Sequence, residues 1–127
     1  VHSCGIFAQL LALGDFPPHV KPMVFCWPGG QLFGYTWAQA SSENPAVADS
    51  FGEYVAHLAA AGFTKVHILA HSMGVRVWFR ALARNPHMFT DLGAAVVGPG
   101  ATAGSKGGPK LRLESCLLMH AEYPLRR

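Results

Sequence analysis

The chain has 127 residues, with ten Lys and Arg against seven Asp and Glu, a net charge of +3 when histidines are neutral. Half of its residues are hydrophobic and 13% are charged, about half of the ~25% usual for a soluble domain, which excludes a disordered tail. A chain of this size buries roughly two-thirds of its unfolded surface, so one domain spanning residues 1–127 with a real core is expected.

The same low charge leaves too little polar surface to cover the molecule. Together with the opening on Val1, this suggests the interior portion of a larger protein. The basic residues are scattered rather than clustered, so no nucleic-acid partner is expected. No run of about 18 apolar residues exists, and no transmembrane segment is expected. Residues 1–13 lack the basic start and cleavage-type ending of a signal peptide. Cys4, Cys26 and Cys116 show no metal spacing and cannot all pair. Cys26 and Cys116 fall in predicted strands, where buried thiols are expected. That usage favours a reducing, cytoplasmic compartment, and neither metal nor cofactor is expected.

In chain order, residues 5–13 predict a short helix, closed by Gly14 and the Asp15-Phe16-Pro17-Pro18 turn. Residues 22–27 form a continuous apolar run ended by Pro28-Gly29-Gly30, the pattern of a strand covered on both faces. Residues 31–44 predict a polar connection. Asn44 and Pro45 then supply a cap and a first turn. The helix over 45–61 carries Val47, Phe51, Tyr54, Val55 and Leu58 at helical spacing, and Gly62 stops it. Residues 65–70 predict a second apolar strand, running directly into a helix over 73–84. Val75, Trp78, Phe79 and Leu82 mark the core face of that helix. Arg76, Arg80 and Arg84, spaced by four, predict a solvated face, and Asn85-Pro86 ends the helix. Six glycines within about 93–110 predict a flexible insertion, and residues 113–119 a third strand. Strands alternating with helices imply an α/β architecture with a parallel sheet.

The informative feature is Ala70-His71-Ser72-Met73-Gly74, between an apolar strand and an amphipathic helix. A serine on such a turn is forced into a strained backbone conformation that lifts its Oγ above the sheet edge. The turn demands tiny residues two before and two after, here Ala70 and Gly74. Ser72 also sits at a helix N-terminus, which favours a developing oxyanion, and the Met73 N–H is one natural donor to it. The bland alternative is a helix-capping serine, which requires neither flanking residue to be small. His71 is adjacent to the nucleophile and is expected to shape the elbow rather than act as base. His67, within the strand, is expected to be a core residue.

These residues resemble the α/β-hydrolase superfamily, specifically its serine esterase and lipase-like members. The stretch VHILAHSMGVRV is similar to the elbow of an uncharacterised hydrolase family with an upstream Trp-Pro, then Gly and Tyr, here Trp27, Pro28, Gly30 and Tyr35. The resemblance covers roughly residues 1–84, with the 113–124 stretch similar to the next strand. It departs at Val75, where that family commonly has Asn, and at Ala38, where an acidic residue is usual.

The resemblance implies a partial α/β-hydrolase fold, incomplete at both ends. In that fold a strand leading into Val1 and His2 lies between the strands over 22–27 and 65–70, and only its last residue or two are expected here. Val1-His2-Ser3 looks like the remnant of an oxyanion loop, with Ser3 where Gly is usual, and the backbone at Ser3 or Cys4 is a second oxyanion donor. His2 is then either a loop-shaping residue or an exposed terminal histidine. The superfamily's triad runs nucleophile, acid, histidine. Glu122 follows the third strand, where a minority of these enzymes carry the acid; otherwise it is a loop carboxylate. After Ser72 only His87 and His120 remain, and neither lies on a late loop, so the base is expected outside the chain.

The implied function is hydrolysis of a small carboxylic ester or acyl substrate through an acyl-enzyme at Ser72. A different reading is a truncated or degenerate relative that serves as a non-catalytic interaction module. Amide or thioester hydrolysis would use the same apparatus. A nucleotide-binding domain is disfavoured, because no G-x-G-x-x-G or Walker loop follows either strand.

Overall fold

In the computed structural model, residues 2–29, 34–90 and 108–123 are described. Their order is α1 (His2–Leu13), α2 (Gly34–Ser42), α3 (Pro45–Ala60), β1 (Lys65–His71), α4 (Gly74–Arg84) and β2 (Arg112–Met119). The Gly-rich insertion expected at about 93–110 lies outside the described residues except for its last three.

Local chemistry accounts for the boundaries of α3. The Asn44 side chain accepts from the Ala46 N–H, and Pro45 occupies the first turn, where its missing N–H costs nothing. Gly62, with φ of 93°, turns the chain away in a conformation that disfavours side chains. β1 and β2 pair in parallel, from Lys65 opposite Arg112 to His71 opposite Met119. Between Val66 and His67 the register shifts by one residue, so Glu114 is the extra residue of a bulge. It receives Arg112 Nε at 2.7 Å, and that bond, reinforced by Lys65, holds its carboxyl below the usual range.

The core lies where α3 and α4 pack on each other and on one face of the sheet. Val75, Ala81, Phe89 and Leu111 are fully buried, with Phe51, Val55, Ala70 and Trp78 around them. Trp78 meets Phe51 and Phe89, each with ring centroids 6.0 Å away. The opposite sheet face, carrying Leu69 and Leu117, is open; these residues are 49% and 56% exposed.

Several expectations are corrected. Residues 22–27 form no strand. An apolar run becomes a strand only when a neighbour takes its backbone hydrogen bonds, and none of the described residues does so. Instead Phe25 packs its ring against Phe51 at 5.1 Å. The connection expected over 31–44 contains the nine-residue helix α2, which apolar periodicity did not mark. The first helix begins at His2 rather than residue 5. On α4, Val75 and Trp78 are buried in the core as expected, Phe79 and Leu82 are half-buried against it, and Val77 and Ala81 are buried as well. All three cysteines are exposed, because Cys26 lies outside any strand and the helices do not cover Cys116.

The arginine row is not simply solvated. Arg84 grips Asp49 of α3 with two hydrogen bonds of 2.7 and 2.8 Å. These bonds hold the Asp49 carboxyl below its ordinary value of 3.8. A carboxyl lowered in the folded state adds stability above the unfolded pKa and loses it as pH falls through the folded one. Asp49→Asn is therefore expected to flatten the acid limb of the stability curve below about pH 4, read from urea midpoints, and change it little with pH above about 6.

Candidate functional site

The change of direction between β1 and α4 falls on Ser72, which has φ of 51°. A side chain in this left-handed region costs about 1–2 kcal/mol, so the surroundings must hold it there. The only other described non-glycine residue with positive φ is His120, at 47°, just past the end of β2. The two strained residues thus sit side by side at the C-terminal edge of a parallel pair, the edge where α/β sheets place their ligands.

The neighbouring strand supplies the restraint. The Ser72 N–H donates to the Met119 carbonyl at 2.9 Å, and the Ser72 carbonyl accepts from Val75 at 3.1 Å and Glu122 at 3.4 Å. Ser72 itself is half-buried. Ala70 is buried in the core and Met73 is buried beside it. The Met73 amide, just before α4, meets no acceptor among the described residues. His71 is exposed, with its ring edge-to-face against His120 at 5.7 Å.

No described residue hydrogen-bonds to Ser72 Oγ. Glu122 lies near the turn, but its carboxylate is 3.8 Å from Arg76 Nη2. His87 is exposed beyond the far end of α4, a helix about 16 Å long. A cavity of about 430 Å³ lies at that same far end, lined by Arg84, Asn85, His87 and Lys110 among others. It is remote from Ser72. Ser3 is the second residue of α1, and no backbone hydrogen bond joins that helix to the Ser72 turn among the described residues.

One expectation near the site changes. His67 is not a core residue: it is exposed on the open sheet face, and its Nδ1 lies 2.8 Å from Ser115 Oγ. Among the described residues, a Cβ at Gly74 would meet nothing within 4 Å. Ala70 is buried in the core. Gly74→Ala is expected to leave stability unchanged or raise it by up to about 1 kcal/mol through the unfolded state. A chemical denaturation midpoint checks this, and a loss above about 1 kcal/mol would show strain that the open space does not account for.

Arg76, expected on a solvated face, is instead largely buried. Its side chain is 11% exposed, and it donates to Glu43 Oε1 at 3.1 Å and to the Glu122 carbonyl at 3.0 Å. One signal was present: a cation in the first turn of a helix opposes the macrodipole. Among the described residues no group of three or more His, Cys, Asp or Glu is placed to hold a metal, and no helix is long and apolar enough to cross a membrane.

No curated protein and no solved structure matches the chain. The family described as alpha/beta hydrolase of unknown function, DUF900, matches residues 3–87, from α1 through Ser72 and α4, and the chain belongs to it.

Proposed function

We propose that this chain carries the nucleophile of a serine hydrolase acting on carboxylic esters, with Ser72 as that nucleophile. The observation that carries the reading is the left-handed backbone of Ser72 between β1 and α4. Strain at a serine in this position is the signature of an elbow that presents Oγ to substrate. The Met73 amide, which meets no acceptor among the described residues, supports it as one oxyanion donor, and the Ser3 backbone is proposed as the other.

In the reaction, Ser72 Oγ attacks the ester carbonyl while a histidine takes its proton. The carbonyl electrons move onto oxygen, where backbone amides hold the negative charge. Collapse breaks the ester bond, and the alcohol leaves with the proton returned by the histidine. Water, deprotonated by the same histidine, then releases the acid from the acyl-serine. The base and its carboxylate are proposed to come from outside these residues, with Glu122 the alternative acid.

The lack of a partner for Ser72 Oγ among the described residues and the engagement of Glu122 by Arg76 favour a second reading, a non-catalytic interaction module. A fluorophosphonate probe separates the two. Applied to the complete gene product, it should attach to Ser72, located by peptide mass spectrometry, and Ser72→Ala should abolish attachment. A complete product that never labels supports the module instead.

A further inference from the structure

Arg76 stands where a helix disfavours it and is largely removed from water. Both features carry a cost, since a desolvated cation must be paired and the positive end of the dipole repels it. Helix stability therefore does not explain its presence. The explanation lies in what the guanidinium joins. Nη1 reaches Glu43, just beyond α2, at 3.1 Å; Nε reaches the Glu122 carbonyl at 3.0 Å; Nη2 lies 3.8 Å from the Glu122 carboxylate. One planar fork ties three segments that are distant in sequence, a geometry a single ammonium cannot reproduce.

The segment it secures is the one that secures Ser72. Residues 119–122 bond to both sides of the serine: Met119 accepts its N–H and Glu122 donates to its carbonyl. That same segment contains His120, the second strained residue. Strained conformations persist only where surrounding contacts over-determine them.

We infer that Arg76 is a positioning residue that keeps Ser72 in its left-handed conformation by clamping the turn after β2 onto the Ser72 peptide. The inference gives Arg76 its catalytic relevance only through the hydrolase reading, but the clamp itself is a property of the folded chain. Arg76 touches no reacting atom. Its effect passes through Glu122 to the Ser72 backbone, and so to the direction of Oγ.

The test compares the 127-residue chain with Arg76→Met, Arg76→Lys and Glu43→Gln by amide hydrogen exchange and by NMR of Ser72. Losing charge-assisted hydrogen bonds should speed local opening about tenfold or more. In Arg76→Met the Ser72 and Glu122 amides should exchange faster by that factor, while the Trp78 amide within α4 stays as slow as before. The Ser72 HN–Hα coupling and Cα shift should move from left-handed toward right-handed values. Arg76→Lys should fail to restore either signal, because the fork is lost. If Arg76→Met does not fold, Glu43→Gln decides: faster exchange confined to residues 72 and 119–122 supports the clamp. Unchanged exchange and coupling at Ser72, in whichever variant folds, overturn it. A fluorophosphonate arm on the complete gene product separates the two ideas. Absent labelling of the unaltered protein sinks the hydrolase reading and leaves the clamp to the exchange data, whereas normal exchange in Arg76→Met sinks the clamp alone.

Discussion

Trp78→Ala should lower stability by about 3–5 kcal/mol, a large share of the roughly 5–15 kcal/mol that separates folded from unfolded states. Trp78 is 5% exposed and sits at the centre of an aromatic chain from Phe25 through Phe51 to Phe89. Each ring packs edge-to-face or tilted on the next, so removing the middle one leaves a void on two sides. Neither neighbour can easily fill it, because Phe51 is fixed in α3 and Phe89 bridges to Leu111, just before β2. The loss should appear as a lower denaturant midpoint with an unchanged slope. Tyr54→Ala, which removes a half-buried ring, should cost clearly less. A Trp78→Ala loss below about 1 kcal/mol would mean that this core is not what holds α4 on α3.

The second large effect concerns Ser72, and it depends on whether a base reaches the hydroxyl. A serine hydroxyl without such help is a poor nucleophile, so the 127-residue chain and its Ser72→Ala variant should cleave an activated aryl ester at rates within about threefold of each other. Both should react feebly with a fluorophosphonate. Where a histidine does reach Ser72, the same substitution costs on the order of 10⁶ in turnover. Any product in which a histidine reaches Ser72 is expected to show a gap of that size, read as aryl alcohol release per mole of protein. Rapid, stoichiometric labelling of the short chain at Ser72 would instead reveal a base among its own residues. His120, whose ring already stands beside His71, would then be the first to replace, followed by His87.

The sequence alone determined the features that depend on a few neighbouring residues. Asn44 and Pro45 define the start of α3, the apolar run from residue 65 becomes β1, and the serine that follows it takes the left-handed turn. Capping, periodicity and turn chemistry act over a handful of bonds, so they are written in adjacent letters. What only the tertiary structure decided depends on which surfaces meet. Residues 22–27 have every local mark of a strand, yet a strand needs a partner that no described residue provides. Phe79 and Leu82 are only half-buried against the core while Ala81 is fully buried, because the width of a helix's covered face depends on the neighbours that tertiary packing brings to it. His67 faces outward because the register puts it opposite Ser115 on the uncovered face. Arg76, one of three arginines at equal spacing, shares Glu43 with Arg80 and is set apart because Glu122 converges on it from 46 residues away. Spacing along one helix cannot distinguish it from Arg80; convergence in space does.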